Sequence, residues 1–183
     1  IRYRSRHPAE PLFRSRDEKC KNRDGITIDD FVNKFESDFR KLPTYHMIIL
    51  VKDYVGLRNL YKLVSISHVD NFYRHPRILK SVLDQNREGL IIGSACEQGE
   101  LYRAILDNRS DEEIRQIASY YDYLEIQPIG NDEHLTRNII KEGRVISEKR
   151  VENDEALRDI VRKIVSIGEE LEKPVVATCD VHF

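Results

Sequence analysis

Asp180 and His182 are the residues of this 183-residue chain whose types and spacing most readily do chemistry. They sit in its last apolar run, Pro174-Val-Val-Ala-Thr-Cys-Asp-Val-His-Phe183. Side chains alternate across a strand, so Val176, Thr178, Asp180 and His182 share one face. Val175, Ala177, Cys179, Val181 and Phe183 share the other, which is apolar and makes Cys179 a core residue. A carboxylate and an imidazole two positions apart on one face can converge on a divalent metal. The same pair can also close a strand end by hydrogen bonding alone. The run stops one residue after His182 and the chain opens on Ile1, which predicts a piece of a larger protein.

Further residues could join such a site. Cys96 follows the apolar run Gly89–Ala95, where α/β folds place their functional groups. Its thiolate would suit zinc, although a lone Cys is also a common small buried residue. His46 lies inside an apolar strand, in phase with Ile48 and Leu50, and a buried imidazole needs a hydrogen-bond partner or a metal. Glu125 sits in a strand in phase with Tyr123 and Gln127; a covered carboxylate must be paired, protonated or bound to a cation. His68 continues the stripe of Val64, where packing is the simpler role. Arg74 and Arg77 flank His75 in a loop that could touch phosphates or merely be solvated. His7, His134 and Cys20 have no supporting context, and Glu97 and Glu100 read as solvated or capping groups.

The elements that must position these groups can be read from periodicity. Residues 1–24 are rich in Arg and Lys without a clear period and read as a lead-in. Thr27 caps a helix with Ile28, Phe31, Val32, Phe35 and Phe39 on one stripe. Thr44–Val51 reads as a buried strand. Gly56–Ser67 is a helix facing inward with Leu57, Leu60 and Val64, and Tyr73–Leu79 a loop around Pro76. Gly89–Ala95 is a second buried strand and Gly99–Leu106 a short helix. Ser110–Glu113 is a capping box opening a helix with Ile114, Ile117 and Ala118 inward. Tyr121–Gln127 is a third strand. Asn131–Gly143 is a helix and turn, and Arg144–Glu152 a loop. Asn153 caps a long helix striped by Leu157, Ile160, Val161, Ile164, Gly168 and Leu171, and Pro174 starts the last strand. Near-continuous apolar strands separated by helices predict an α/β fold with parallel strands covered by helices. The units are too few for a closed β/α barrel and fit part of one, or a small open sheet.

Composition excludes several classes. A net charge of −2 argues against a general nucleic-acid-coating surface. No apolar run approaches a membrane span, and no signal peptide is evident. Three widely spaced cysteines suit a reducing cytosol. Walker A, Rossmann, CxxC and Gly-x-Ser-x-Gly patterns are all missing from the sequence.

Several ordered segments carry a family resemblance. Tyr45-His-Met-Ile-Ile-Leu50, Gly56-Leu-Arg-Asn-Leu-Tyr-Lys-Leu-Val-Ser65, Ser67-His-Val-Asp-Asn-Phe-Tyr-Arg74 and Pro76-Arg77 come first. Arg87–Glu100, with its Gly-Ser-Ala-Cys-Glu-Gln-Gly-Glu run, Tyr121–Pro128 and Lys173–Phe183 follow in order. Together they resemble the polymerase-and-histidinol-phosphatase (PHP) domain of bacterial replicative DNA polymerase III alpha subunits of the PolC type, over about Gly25 to Phe183. The resemblance implies a distorted β/α barrel holding a metal cluster with His, Asp, Glu and Cys. It also implies a proofreading exonuclease inserted within the domain in PolC-type proteins, after a His-x-His motif. This chain contains no His-x-His, so it corresponds to the part of the domain after that insertion, residues 25–183.

Carried over residue by residue, the resemblance assigns His46, Cys96, Asp180 and His182 to the metal cluster, with Glu125 and His68 at recurrent positions. It implies zinc, manganese or magnesium as cofactor, DNA and other replisome subunits as partners of the parent, and a cytoplasmic location. Nucleotidyl transfer would belong to a polymerase palm elsewhere in the parent, so no catalytic residue for polymerisation is expected here. Two further roles stay open for the metal site: a phosphoesterase or nuclease in its own right, or a purely structural centre.

Overall fold

The computed structural model describes residues 2–4, 42–142 and 144–179. Asp180 and His182 lie outside the described residues, as do the Thr27 helix, Cys20 and His7. Within the expected lead-in, Arg2–Arg4 forms a strand (β1).

The Thr44–Val51 run is divided at Met47 into β2 (Tyr45–His46) and β3 (Ile48–Val51). Met47 is buried, whereas Leu50 and Val51 are exposed, so only the first part of the run is interior. β1 pairs antiparallel with β2 and parallel with β4 (Ile78–Leu79). β5 (Leu90–Gly93) pairs with β3 through the register Ile48↔Gly93 to Val51↔Leu90. A parallel bridge, Gly93↔Tyr123, leads from β5 to β6 (Leu124–Ile126). β6 in turn pairs parallel with β9 (Val175–Ala177).

The parallel arrangement therefore holds from β5 through β6 to β9. It fails at β3, which runs antiparallel to β5. The reversal is sealed where β3 ends: Lys52 N donates to Gly89 O at 2.9 Å, just before β5 begins.

Helix α1 (Tyr54–Val69) starts at Asp53, whose carboxylate accepts from Gly56 N at 2.9 Å. Its fully buried residues are Gly56, Asn59, Leu63 and Ser67; of the expected Leu57, Leu60 and Val64, Leu60 packs partly buried against the core and Val64 is exposed. The cause is a close backbone approach. A Cβ on Gly56 would lie 1.8 Å from Gly89 O, and Asn59 Nδ2 donates to Glu88 O at 2.9 Å. A small residue and an amide on that face let the helix lie on the turn before β5; Leu63, one turn on, fills the core.

Helix α2 (Lys80–Gln85) follows β4. Helix α3 (Glu100–Leu106) begins after Gly99, and α4 (Asp111–Ser119) opens with the expected capping box at Ser110 and Glu113. Helix α5 (Asp154–Glu170) is capped by Asn153 and buries Leu157, Ile160, Ile164, Ile167 and Gly168. Gly168 lies close against β9: its Cβ position would fall 2.2 Å from Val175 Cγ2 and 3.3 Å from Lys173 O, so a larger residue there would have to displace the Val175 side chain. Met47, Leu63, Leu83, Ile92, Leu101, Ile114, Tyr121, Leu124 and Leu157 are among the core side chains the helices and strands share, each contributing about 1.5–3 kcal/mol by burial.

Three expectations about connections change. Tyr73–Leu79 is not an open loop: Tyr73 and His75 bridge, Ile78 and Leu79 are buried, and Arg77 is 8% exposed with its guanidinium 5.0 Å from the Tyr73 ring centroid. Ile129–Thr136 is a 3-10 helix. The stretch 144–152 begins as a strand, because β7 (Ile139–Lys141) and β8 (Arg144–Ser147) form an antiparallel hairpin. Glu142 at its tip has φ 51°; the Glu-Gly step between two β-branched runs was the available signal.

Around the start of β6, Tyr120 organises a polar clamp. Lys80 Nζ lies 3.9 Å and the Arg87 guanidinium 4.8 Å from its ring centroid. Its hydroxyl donates to Asp84 at 2.7 Å. Arg87 also reaches Tyr120 O and Asp122 Oδ1, and Asp122 Oδ2 accepts from Ile92 N at 2.7 Å. This ties the chain entering β6 to the middle of β5.

Asp132 gives a pH-dependent prediction. It is buried, accepts from the Tyr102 hydroxyl at 2.8 Å on Oδ2, and no described residue donates to Oδ1. Burial, the larger cause, holds its carboxyl above the ordinary value, against the lowering effect of the Tyr102 bond. The folded state then binds more protons than the unfolded chain, so stability falls as pH rises from the ordinary carboxyl value through the raised one. Asp132→Asn should flatten that fall and stabilise the chain at neutral pH, as measured by urea unfolding across the acidic range. An unchanged pH profile would refute it.

Candidate metal centre

The β3 reversal builds the site. In a run of parallel strands, groups that follow strands meet at one rim. Because β3 is antiparallel to β5, the residues before β3 meet the residues after β5. The register Ile48↔Gly93 thereby carries His46 to Cys96, fifty positions apart in the chain. Beyond β5 the chain turns sharply. Ala95 adopts φ 60°, in the left-handed region that a Cβ disfavours. Gly99 N closes a turn on Cys96 O at 2.8 Å, and His46 N donates to Gln98 O at 2.9 Å. The result is a contact of 3.5 Å between Cys96 Sγ and His46 Nδ1.

These groups line a cavity of about 960 Å³. Burial pushes the Cys96 thiol up to about 11, with the neighbouring Glu97 adding to it and the Gln98 backbone N–H opposing it. The thiol is therefore protonated at neutral pH in this structure, and a metal would have to displace that proton.

Glu125 lies deeper on the same wall and is 6% exposed. Its backbone N donates to Ser94 Oγ at 2.9 Å, joining β6 to the end of β5. Its carboxylate Oε1 accepts from Thr178 Oγ1 at 2.8 Å and Gln127 Nε2 at 3.1 Å. Tyr123 lies across Gly93, where a Cβ would fall 2.3 Å from the ring. Burial, and secondarily the Glu125 charge, raise the Tyr123 hydroxyl above its usual range.

The structure thus brings His46, Cys96 and Glu125 to one cavity. Thr178 and Cys179, the two residues before Asp180, line it as well. Cys179 is exposed there, not buried in the core as the alternation predicted; β9 ends at Ala177, so alternation no longer governs it. His68 does not line the cavity. It is exposed on α1, with Nδ1 2.8 Å from Val64 O. Arg74 and Arg77 gather on Tyr73, also outside the cavity. Among the described residues no group of three or more His, Cys, Asp or Glu side chains surrounds a common point.

Residues that sequence reasoning passed over are Ser94, which fixes β6, and Ala95, whose backbone aims Cys96. Ala95 carried no signal, since only Gly advertises a positive φ.

The PHP domain family profile matches residues 14–128, and the chain belongs to that family. Its relatives share one description. It is 53% identical over 146 residues to the "DNA polymerase III PolC-type" of Clostridium perfringens, covering 80% of this chain and 9% of that protein. The proteins of the same description from Caldanaerobacter subterraneus and Bacillus subtilis are 49% identical over 151 residues and 43% identical over 162. They cover 82% and 87% of this chain respectively, and 10% of each relative. The chain therefore spans about a tenth of the length of the curated relatives it matches.

Proposed function

We propose that the chain is a segment of a PolC-type replicative DNA polymerase III alpha subunit, the later part of its PHP domain, and serves there as a metal-bearing scaffold. The parent would be a cytoplasmic DNA-directed DNA polymerase that binds DNA and replisome subunits and carries an inserted exonuclease. The strands from β3 to β9 would be one arc of a distorted β/α barrel. Among the described residues no helix is long and apolar enough to cross a membrane.

The relatives' shared description supports the parent, and the observation that carries the metal reading is the His46–Cys96 contact. Two ligands of one tetrahedral zinc, at about 2.3 Å for sulfur and about 2.0–2.1 Å for nitrogen, lie roughly 3.5 Å apart. The separation of 3.5 Å fits, and an imidazole with a thiolate is a zinc-type donor set. Asp180 and His182 would complete the ligands, with Glu125 and His68 as weaker candidates; the exposed position of His68 speaks against it. A bound divalent ion would supply local positive charge and, with an open position, an activated water.

Elemental analysis of the purified chain should find bound divalent metal, and primer-extension assays should find no polymerase activity. Metal-free protein after exposure to zinc and manganese would refute the scaffold reading. A second reading, a metal-dependent phosphoesterase, would need the complete ligand set of the domain, including the His-x-His that this chain lacks. Hydrolysis of a generic phosphoester that disappears on chelation would support it.

A further inference from the structure

We infer that the outer face of α1 is a docking surface for single-stranded nucleic acid, with Arg58 and Lys62 on phosphates and Tyr54 and Tyr61 stacked on bases. No residue of α1 lines the cavity of the metal centre, so the inference stands apart from the metal reading.

Three observations carry it. First, the face lies opposite the one that seats the helix. At about 3.6 residues per turn, Gly56, Asn59, Leu63 and Ser67 fall on one side, where they are buried. Tyr54, Arg58, Tyr61, Lys62 and Ser65 fall on the other, and all of them are exposed. Tyr54 is 90% and Tyr61 64% exposed; they stand about 10.5 Å apart along the axis, with Arg58 between them. Second, the charge on this face has one sign. Helix α1 contains no Asp or Glu. Asp53 and Asp70 flank it, and the Asp53 carboxylate is engaged by Gly56 N. Among the described residues no carboxylate pairs with Arg58 or Lys62. On α5, by contrast, Arg158 and Arg162 pair with Glu155, and Lys163 with Asp111. Third, Arg58 and Lys62 stand one turn apart, where like charges destabilise a helix. A phosphate held between them would reverse that cost. Phosphates alone would suit a single strand or a duplex; the tyrosines decide. Exposed aromatic rings stack on unpaired bases whatever their sequence, whereas a duplex keeps its base faces closed.

The test is fluorescence anisotropy of a labelled oligothymidylate titrated with the 183-residue chain at several salt concentrations, beside a DNA duplex and a polyglutamate. Circular dichroism melting runs alongside. Arg58→Gln combined with Lys62→Gln should weaken binding at low salt at least about 10-fold. It should also make the logarithmic salt dependence shallower by about 1.4, the value for two phosphate contacts on a single strand. Arg158→Gln combined with Arg162→Gln removes the same charge from α5 and should leave binding within about twofold of the native chain. Tyr54→Ala and Tyr61→Ala should each weaken binding about 5-fold or more without changing the salt dependence, whereas Tyr54→Phe and Tyr61→Phe, which keep the ring, should bind nearly as the native chain does. A native chain that leaves the oligonucleotide unbound overturns the inference. So does an equal loss in the α5 pair, which would make the effect one of net charge. Native-like binding by both alanine variants, or duplex binding as tight as that of the single strand, overturns the stacking role. Equal binding of polyglutamate overturns nucleic acid as the partner. If an alanine variant melts early, the comparison of the α1 and α5 glutamine pairs decides. Every one of these outcomes leaves the metal reading intact, because metal content is measured separately.

Discussion

Cys96→Ser should lower the affinity of this chain for Zn²⁺ by more than the roughly 10–100-fold that outer-shell changes cost, and His46→Ala should do the same. The argument is local. Sγ and Nδ1 stand 3.5 Å apart, held by the Cys96–Gly99 turn and the His46–Gln98 backbone bond, neither of which uses the altered side chains. Folding should therefore survive while the donor set does not. Serine is nearly the same size but offers a hard, weakly acidic hydroxyl where zinc prefers a thiolate. In the full-length parent, Asp180→Ala and His182→Ala should reduce bound metal together with these variants. Competitive zinc titration of each folded variant is the measurement; unchanged stoichiometry and affinity would remove these residues from the ligand set.

The second large effect concerns stability. Gly56→Ala should destabilise the chain by about 3 kcal/mol or more, at or beyond the upper end of overpacking costs. The new methyl would fall 1.8 Å from Gly89 O and 2.4 Å from Gly89 C, and backbone atoms cannot swing aside as a side-chain tip can. Separating the two segments would also strain the Asp53 cap, the Asn59–Glu88 bond and the Lys52–Gly89 bond. Gly89→Ala should be comparably damaging, because Gly89 has φ 73° and faces Asp53 Oδ1 at 2.3 Å from its Cβ position. Gly130→Ala, where nothing lies within 4 Å, serves as the neutral control. Urea midpoints would decide; equal midpoints for Gly56→Ala and Gly130→Ala would show that the helix is not seated on that turn.

Much of this architecture was legible because it follows local rules. The Ser110 capping box, the Asn153 cap and the α5 stripe need only side-chain spacing and hydrogen-bond chemistry, and the structure contains them. The clustering of His46, Cys96 and Glu125 was legible only as a set of separate candidates, because spacing cannot show which strand ends meet. The direction of β3 was missed for a related reason: an apolar run such as Ile48–Val51 reads the same in either direction, and pairing is decided by a partner more than thirty positions away. The inward face of α1 was only partly read: Leu60 does pack against the core, but the face is centred on Leu63 and the contact that seats the helix is made by Gly56 and Asn59. Cys179 was misplaced because β9 is shorter than the apolar run that contains it.

The antiparallel meeting of β3 and β5 has a consequence for how the centre comes into being. His46 and Cys96 belong to no common local unit; between them lie β3, α1, β4, α2 and β5. Closing that span is an entropic cost that local helix formation does not offset. The pair can meet only when the β3–β5 ladder is closed at its Ile48 end. An ion bound there favours the closed ladder over every opened form of it, so the metal would act on this chain as a clasp at the end of a zipper.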